Sequence, residues 1–105
     1  MGPYVVVFVT APSAKEAETI ATALVNEKLA ACASVLPGLR SHYRWKGKVE
    51  SARERLLIIK TKKSKLPSLV RRVRALHSYD VPEIIALPIL AGDKDYLRWI
   101  DVSLK

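Results

Sequence analysis

Residues 4–9, Tyr-Val-Val-Val-Phe-Val, put apolar side chains on both alternating faces, the pattern of a central strand covered on both sides. After the turn Thr10-Ala11-Pro12, Ser13-Ala14-Lys15-Glu16 has the form of a capping box. In it the Ser13 hydroxyl accepts from the Glu16 amide while the Glu16 side chain reaches back. Ala17, Ile20, Ala21, Leu24 and Val25 then recur at i, i+3, i+4, predicting a helix to about Lys28 whose small apolar stripe can sit close on a sheet. Residues 29–45 read as extended chain interrupted at Pro37-Gly38, where a bulge or bend is expected. A turn at Lys46-Gly47 returns the chain through Val49 and Leu56-Leu57-Ile58-Ile59 to Thr61, making a long hairpin. Leu66, Leu69, Val70, Val73 and Leu76 form a second helical stripe starting near Ser64 or Lys65, with Pro67 confined to its first turn. Residues 82–89 predict a fourth strand, which Pro82 and Pro88 place near a sheet edge. Gly92-Asp93 caps a last short helix carrying Tyr96, Leu97, Trp99 and Ile100.

The order βαββαβ followed by a helix is that of the ferredoxin-like sandwich, an α+β arrangement with two helices on one face of an antiparallel sheet. A chain of 105 residues favours one domain, here residues 1–105. One dimension does not fit a lone subunit. At ~3.3 Å per residue, the extended run 29–45 would reach ~56 Å, against a radius of gyration of ~13 Å for a domain of this size. Either Pro37-Gly38 bends the hairpin back, or its tip, with Tyr43 and Trp45, lies against another subunit.

Composition narrows the class. Half the residues are hydrophobic and 27% are charged, as in a globular domain. The longest apolar stretch is far below the ~20 residues that cross a bilayer, and the first residues lack a charged n-region. No membrane anchor or secretion signal is therefore expected. The single Cys32 excludes an internal disulfide and a Cys-rich zinc site, and it suits a reducing compartment such as the cytosol. Net charge is +8, and it is concentrated: residues 40–74 hold thirteen basic side chains against Glu50 and Glu54. Such a stripe can face an anionic ligand, nucleic acid or an acidic protein partner, or simply water.

Few motifs carry chemistry. There is no Gly-x-Ser-x-Gly, no phosphate-cradling glycine loop and no His-x-x-x-His. Cys32, among small apolar residues, reads as an inert thiol. His42-Tyr43-Arg44-Trp45-Lys46-Gly47-Lys48 interleaves aromatics with bases as single-strand nucleic-acid platforms do. In a strand, however, Tyr43 and Trp45 share one face and the bases the other, which equally describes an apolar face on a neighbour; nucleic acid is disfavoured. The densest polar cluster is His77-Ser78-Tyr79-Asp80-Val81-Pro82-Glu83, on a loop between helix and strand. There His77 can ligate a metal or titrate, and an enzyme would use it with Glu83 or Asp80 as acid and base on an anionic substrate.

These residues resemble the CutA divalent-cation-tolerance proteins. The resemblance runs through Val9-Thr10-Ala11-Pro12, residues 27–33, Tyr43-x-Trp45-x-Gly47-Lys48, Ile59-Lys60-Thr61, His77-x-Tyr79-x-x-Pro82-Glu83, residues 84–89 and Tyr96-Leu97-x-Trp99. It implies a homotrimer whose Tyr43, Trp45 and Gly47 hairpin pairs between subunits, similar in architecture to PII signalling proteins. It also implies inter-subunit clefts lined by Tyr43, Trp45, Lys48, Lys60, His77, Tyr79 and Glu83 that take a metal or small ligand. No enzymatic activity and no required cofactor come with it; copper or another divalent cation is the implied ligand. Some members hold copper with a Cys before the Thr-Ala-Pro turn and two adjacent His, positions occupied here by Val9, Leu76 and His77. Of that set His77 alone is retained, so a metal would need several copies of it or a contribution from Cys32. The basic stretch 51–55, where relatives are commonly acidic, points to an anion or acidic partner as the alternative ligand.

Overall fold

A computed structural model describes residues 3–105. Strands β1 (Tyr4–Ala11), β2 (Cys32–Trp45), β3 (Lys48–Lys62) and β4 (Ile84–Pro88) form one antiparallel sheet in the order β2-β3-β1-β4. Helices α1 (Ala14–Asn26) and α2 (Leu66–Leu76) complete a ferredoxin-like βαββαβ unit, and α3 (Lys94–Ser103) follows it. None of the described helices is long and apolar enough to cross a membrane.

Most boundaries have an identifiable cause. β1 runs two residues past its predicted end because Thr10 and Ala11 still pair with Leu56 and Arg55. α1 begins at the expected cap, with Ser13 Oγ accepting the Glu16 amide at 3.2 Å. It stops before Lys28, whose φ of 60° turns the chain and lets the Leu29 and Ala30 amides bond back to the Leu24 carbonyl. That turn consumes residues 29–31, so β2 starts at Cys32 rather than at residue 29. Likewise β4 begins at Ile84 rather than 82, and it lies at the sheet edge its prolines predict. Asp93 caps α3 by accepting the Tyr96 amide at 3.0 Å.

The core lies between the sheet and α1 with α2. Val7, Val9, Leu57 and Ile59 project from the sheet onto Ile20, Leu24, Leu69 and Val73, all fully buried. Each such side chain stabilises the fold by roughly 1.5–3 kcal/mol relative to exposure. Thr61, also fully buried, donates its hydroxyl to the Leu29 carbonyl at 2.7 Å and so leaves no polar group unmatched.

The expectation that β1 is covered on both faces needs correction. Thr10 apart, only its odd residues are buried. On the other face Val6 and Phe8 are half-buried, beside Ile58 of β3 and the exposed Ile85 and Leu87 of β4. α3 covers one end of this face, where Tyr4 donates to Asp101 at 2.7 Å and Lys62 pairs with Asp101 at 2.9 Å.

Pro37-Gly38 forms the expected bulge, a register shift between Leu36 and Leu39, but it does not fold the hairpin back. Residues 39–45 and 48–54 pair only with each other beyond the end of β1. This arm accompanies an elongated molecule of 44 × 25 × 24 Å, with a radius of gyration of 14.2 Å. At its tip Lys46 (φ 50°) and Gly47 (φ 79°) both adopt positive φ, as a two-residue turn matched to strand twist requires.

Candidate functional site

The arm and the segment between α2 and β4 enclose a cleft of about 800 Å³. The arm supplies Ser41, His42, Tyr43, Trp45 and Glu54; the segment supplies residues 78–83; Thr10 closes the floor. Alternation along β2 and β3 places Ser41, Tyr43, Trp45 and Glu54 on the same side of the arm, so one strand face supplies all of the arm's lining except His42.

His77 sits behind this wall rather than in it. Its amide closes the last turn of α2 on the Val73 carbonyl, and its ring turns inward until the side chain has no exposed surface. Nε2 lies 2.7 Å from the Thr10 carbonyl, an acceptor only, so Nε2 carries the hydrogen. Nδ1 is then the acceptor, taking the Tyr79 amide at 3.1 Å. Both ring nitrogens are engaged. The imidazole therefore bonds neither Asp80 nor Glu83 and offers no open lone pair for a metal in this arrangement.

Glu16 departs from the capping box. Its carboxylate does not return to the Ser13 backbone but accepts the Ser78 amide and hydroxyl, each at 3.1 Å, and lies 3.3 Å from His77 Nδ1. The loop offers it two donors where the cap offered one, and the first turn of α1 is thereby fastened to residues 77–79. On the cleft side, the Tyr79 hydroxyl donates to Glu54 Oε2 at 2.8 Å. Burial, and then the Glu54 carboxylate that accepts this bond, push the Tyr79 hydroxyl well above the ordinary phenol range. The tyrosine ring tilts against His77, with centroids 4.8 Å apart. Together these contacts form a continuous path from α1 through the loop to the arm.

The structure brings Tyr43, Trp45, Tyr79 and Glu83 to one cleft and leaves the other expected residues elsewhere. Lys48 lies across from Trp45 past the tip turn, outside the lining, and Gly47 belongs to that turn. Lys60 and Cys32 face each other across β2 and β3, Nζ to Sγ 3.9 Å, four positions along β3 from the Thr10–Leu56 pair. Within one chain Cys32 and His77 do not converge. Among the described residues no three His, Cys, Asp or Glu side chains gather as a metal group. Sequence reasoning passed over Glu54, although a lone carboxylate between Arg53 and Arg55, on the opposite strand face from both, was a usable signal. It had no means of finding the Thr10 carbonyl.

Comparison with known proteins places this arrangement. The sequence model of the family described as CutA1 divalent ion tolerance protein matches residues 5–103. The divalent-cation tolerance protein CutA of Thermus thermophilus is 54% identical over 90% of this chain and 92% of its own. The chloroplastic CutA of Arabidopsis thaliana is 50% identical over 98% of this chain, which spans only 57% of that protein's length. The crystal structure of CutA from Xylella fastidiosa superposes with a TM-score of 0.96 at 40% identity, covering 99% of this chain and 100% of that one. A CutA from Archaeoglobus fulgidus, described as periplasmic, superposes at 0.94 with 42% identity over 97% and 99% of the two chains. The chain belongs to the CutA1 divalent ion tolerance family.

Proposed function

We propose that this protein is a homotrimeric binding protein of divalent-cation tolerance, acting without a catalytic cycle in a PII-like manner, with the cleft between arm and loop as the seat of a cation or small ligand. The observation that carries the reading is the open sheet face. Val6, Phe8, Ile58, Ile85 and Leu87 form an apolar surface that the chain's own helices do not cover, beside an arm too long to be packed by its own subunit. Contiguous apolar surface of this kind is buried in assemblies. Assembly would also supply neighbours to the unpaired edges of β2 and β4, and the cleft would then lie between subunits.

Asp80 and Glu83, exposed at the cleft rim, favour a cation there over an anion. Copper held by His77 requires that ring to release Thr10 or Tyr79, or copies from several subunits to meet. The enzyme reading draws no support from this geometry, because His77 is turned away from both carboxylates. For compartment, the lone Cys32 fits the reducing cytoplasm, while relatives described as chloroplastic and periplasmic show that the family occupies others.

Native mass spectrometry with and without copper(II) tests the proposal in one measurement. A trimer that gains a fixed number of copper ions, fewer when Glu83 is changed to Gln, is the expected result. A monomer at micromolar concentration overturns the assembly, and a trimer that takes up no copper overturns the cation seat.

A further inference from the structure

On the other side of the arm the bulge opens a second concavity, of about 290 Å³, lined by Pro37, Gly38 and Leu39 and by Arg40, Arg53 and Arg55. Arg40 and Arg53 are register partners, so two basic side chains leave the ladder opposite one another on one face. Arg55 follows Arg53 by two and shares its face. Like charges set opposite across a ladder destabilise it. None of the ion pairs among the described residues relieves this one, since they join Lys62 to Asp101 and Arg72 to Glu27. The carboxylate between the arginines, Glu54, also borders the concavity, but its Oε2 is held by the Tyr79 hydroxyl toward the other cleft. Gly38, at φ 85°, turns the chain here, and a side chain placed on it would meet nothing within 4 Å, so the hollow is open.

Three forked donors lining an open hollow, whose one bordering carboxylate is already hydrogen-bonded to Tyr79, suit an acceptor of several negative charges. Guanidinium forks match the spacing of phosphoryl oxygens, whereas one carboxylate would neutralise a single arginine. We propose that this concavity binds a small polyphosphate-bearing anion, with Arg40, Arg53 and Arg55 donating to its phosphoryl oxygens. Its three arginines lie on the opposite strand face from Tyr43, Trp45 and Glu54, and the proposal stands independently of the function assigned to the cleft.

The probe is inorganic pyrophosphate, titrated calorimetrically into the assembled protein at constant ionic strength, with citrate and ADP as parallel arms. Saturable binding, one pyrophosphate per subunit, is expected, falling at least tenfold in Arg53→Gln. Lys15→Gln, which removes the same charge from exposed α1, should change affinity less than twofold. ADP binding as tightly as pyrophosphate would identify the diphosphate alone as what is recognised, and tighter binding would add the nucleoside; both support the site. Equal response to citrate, equal losses in the two variants, or no saturation would overturn it. Should Arg53→Gln fold poorly, Arg40→Gln serves the same comparison. Either variant should melt higher than the parent in phosphate-free buffer, because the opposed charges are then separated.

Discussion

The two faces of the sheet are built from the same kinds of residue and meet opposite fates. On one, Val7, Val9, Leu57 and Ile59 are sealed under two helices; on the other, Val6, Phe8 and Ile58 are half-buried and Ile85 and Leu87 exposed. Hydrophobicity alone does not distinguish them, because β1 alternates valine with valine and phenylalanine. What differs is supply. The chain makes two helices long enough to cover one face, and a third that reaches only the end holding Tyr4, Lys62 and Asp101. A strand that reads as buried on both sides thus identifies the surface that the proposed assembly would cover.

Three substitutions test that contrast, in decreasing order of cost to the single subunit. Ile59→Ala cuts a cavity on the sealed face and should cost about 2–5 kcal/mol, measured by chemical denaturation. A cost comparable to that of an exposed site would mean the helices pack loosely. Tyr79→Phe removes the donor that reaches Glu54 from the segment after α2; an unmatched buried acceptor should cost about 1–3 kcal/mol at neutral pH. This variant also carries a pH signature. The hydroxyl is held above its ordinary value of 10.0, so as pH rises past that point the unfolded chain loses a proton that the folded chain keeps. Stability present below pH 10 should therefore fall above it, and Tyr79→Phe should flatten the fall. It will not abolish the slope, because Tyr4, raised by its bond to Asp101, acts in the same direction. Ile85→Asp on the open face should cost the subunit itself less than about 1 kcal/mol. It should nonetheless dissociate the assembly, read as a threefold drop in mass by light scattering with the circular dichroism spectrum unchanged. An undiminished mass would show that the open face is not the interface.

The fold was legible wherever a periodicity or a cap decided it. Ser13 and Asp93 announced two helices, Lys46-Gly47 the tip turn, Pro37-Gly38 the bulge and Pro88 an edge strand. These signals act within a few residues, and the sequence states them directly. The candidate cleft was legible only in part of its lining. Within one chain Tyr43, Trp45, Tyr79 and Glu83 do share a cleft, but whether His77 joins them as a metal ligand depends on where its ring points. That orientation is set by the Thr10 carbonyl, 67 positions away, a backbone group of which side-chain pattern keeps no record. Glu16 shows the same limit. Its spacing from Ser13 met every local condition for a capping box, and a long-range partner at Ser78 took its carboxylate instead.

The central place of β1 has a consequence for how the chain reaches this structure. Tyr4–Ala11 is synthesised well before its partners, residues 55–62 and 84–88. The β2–β3 hairpin, closed by a two-residue turn, needs no distant segment and can form within microseconds. β1 must wait for it and then for β4, closing loops of some fifty and eighty residues. Throughout that interval a six-residue run without charge, proline or glycine, rich in β-branched side chains, has neither edge paired. Such a segment is the kind that joins copies of itself. The strand that organises the native sheet is therefore also the part of the chain most exposed to aggregation while it is being made. Refolding yield should fall with protein concentration through this segment before any other.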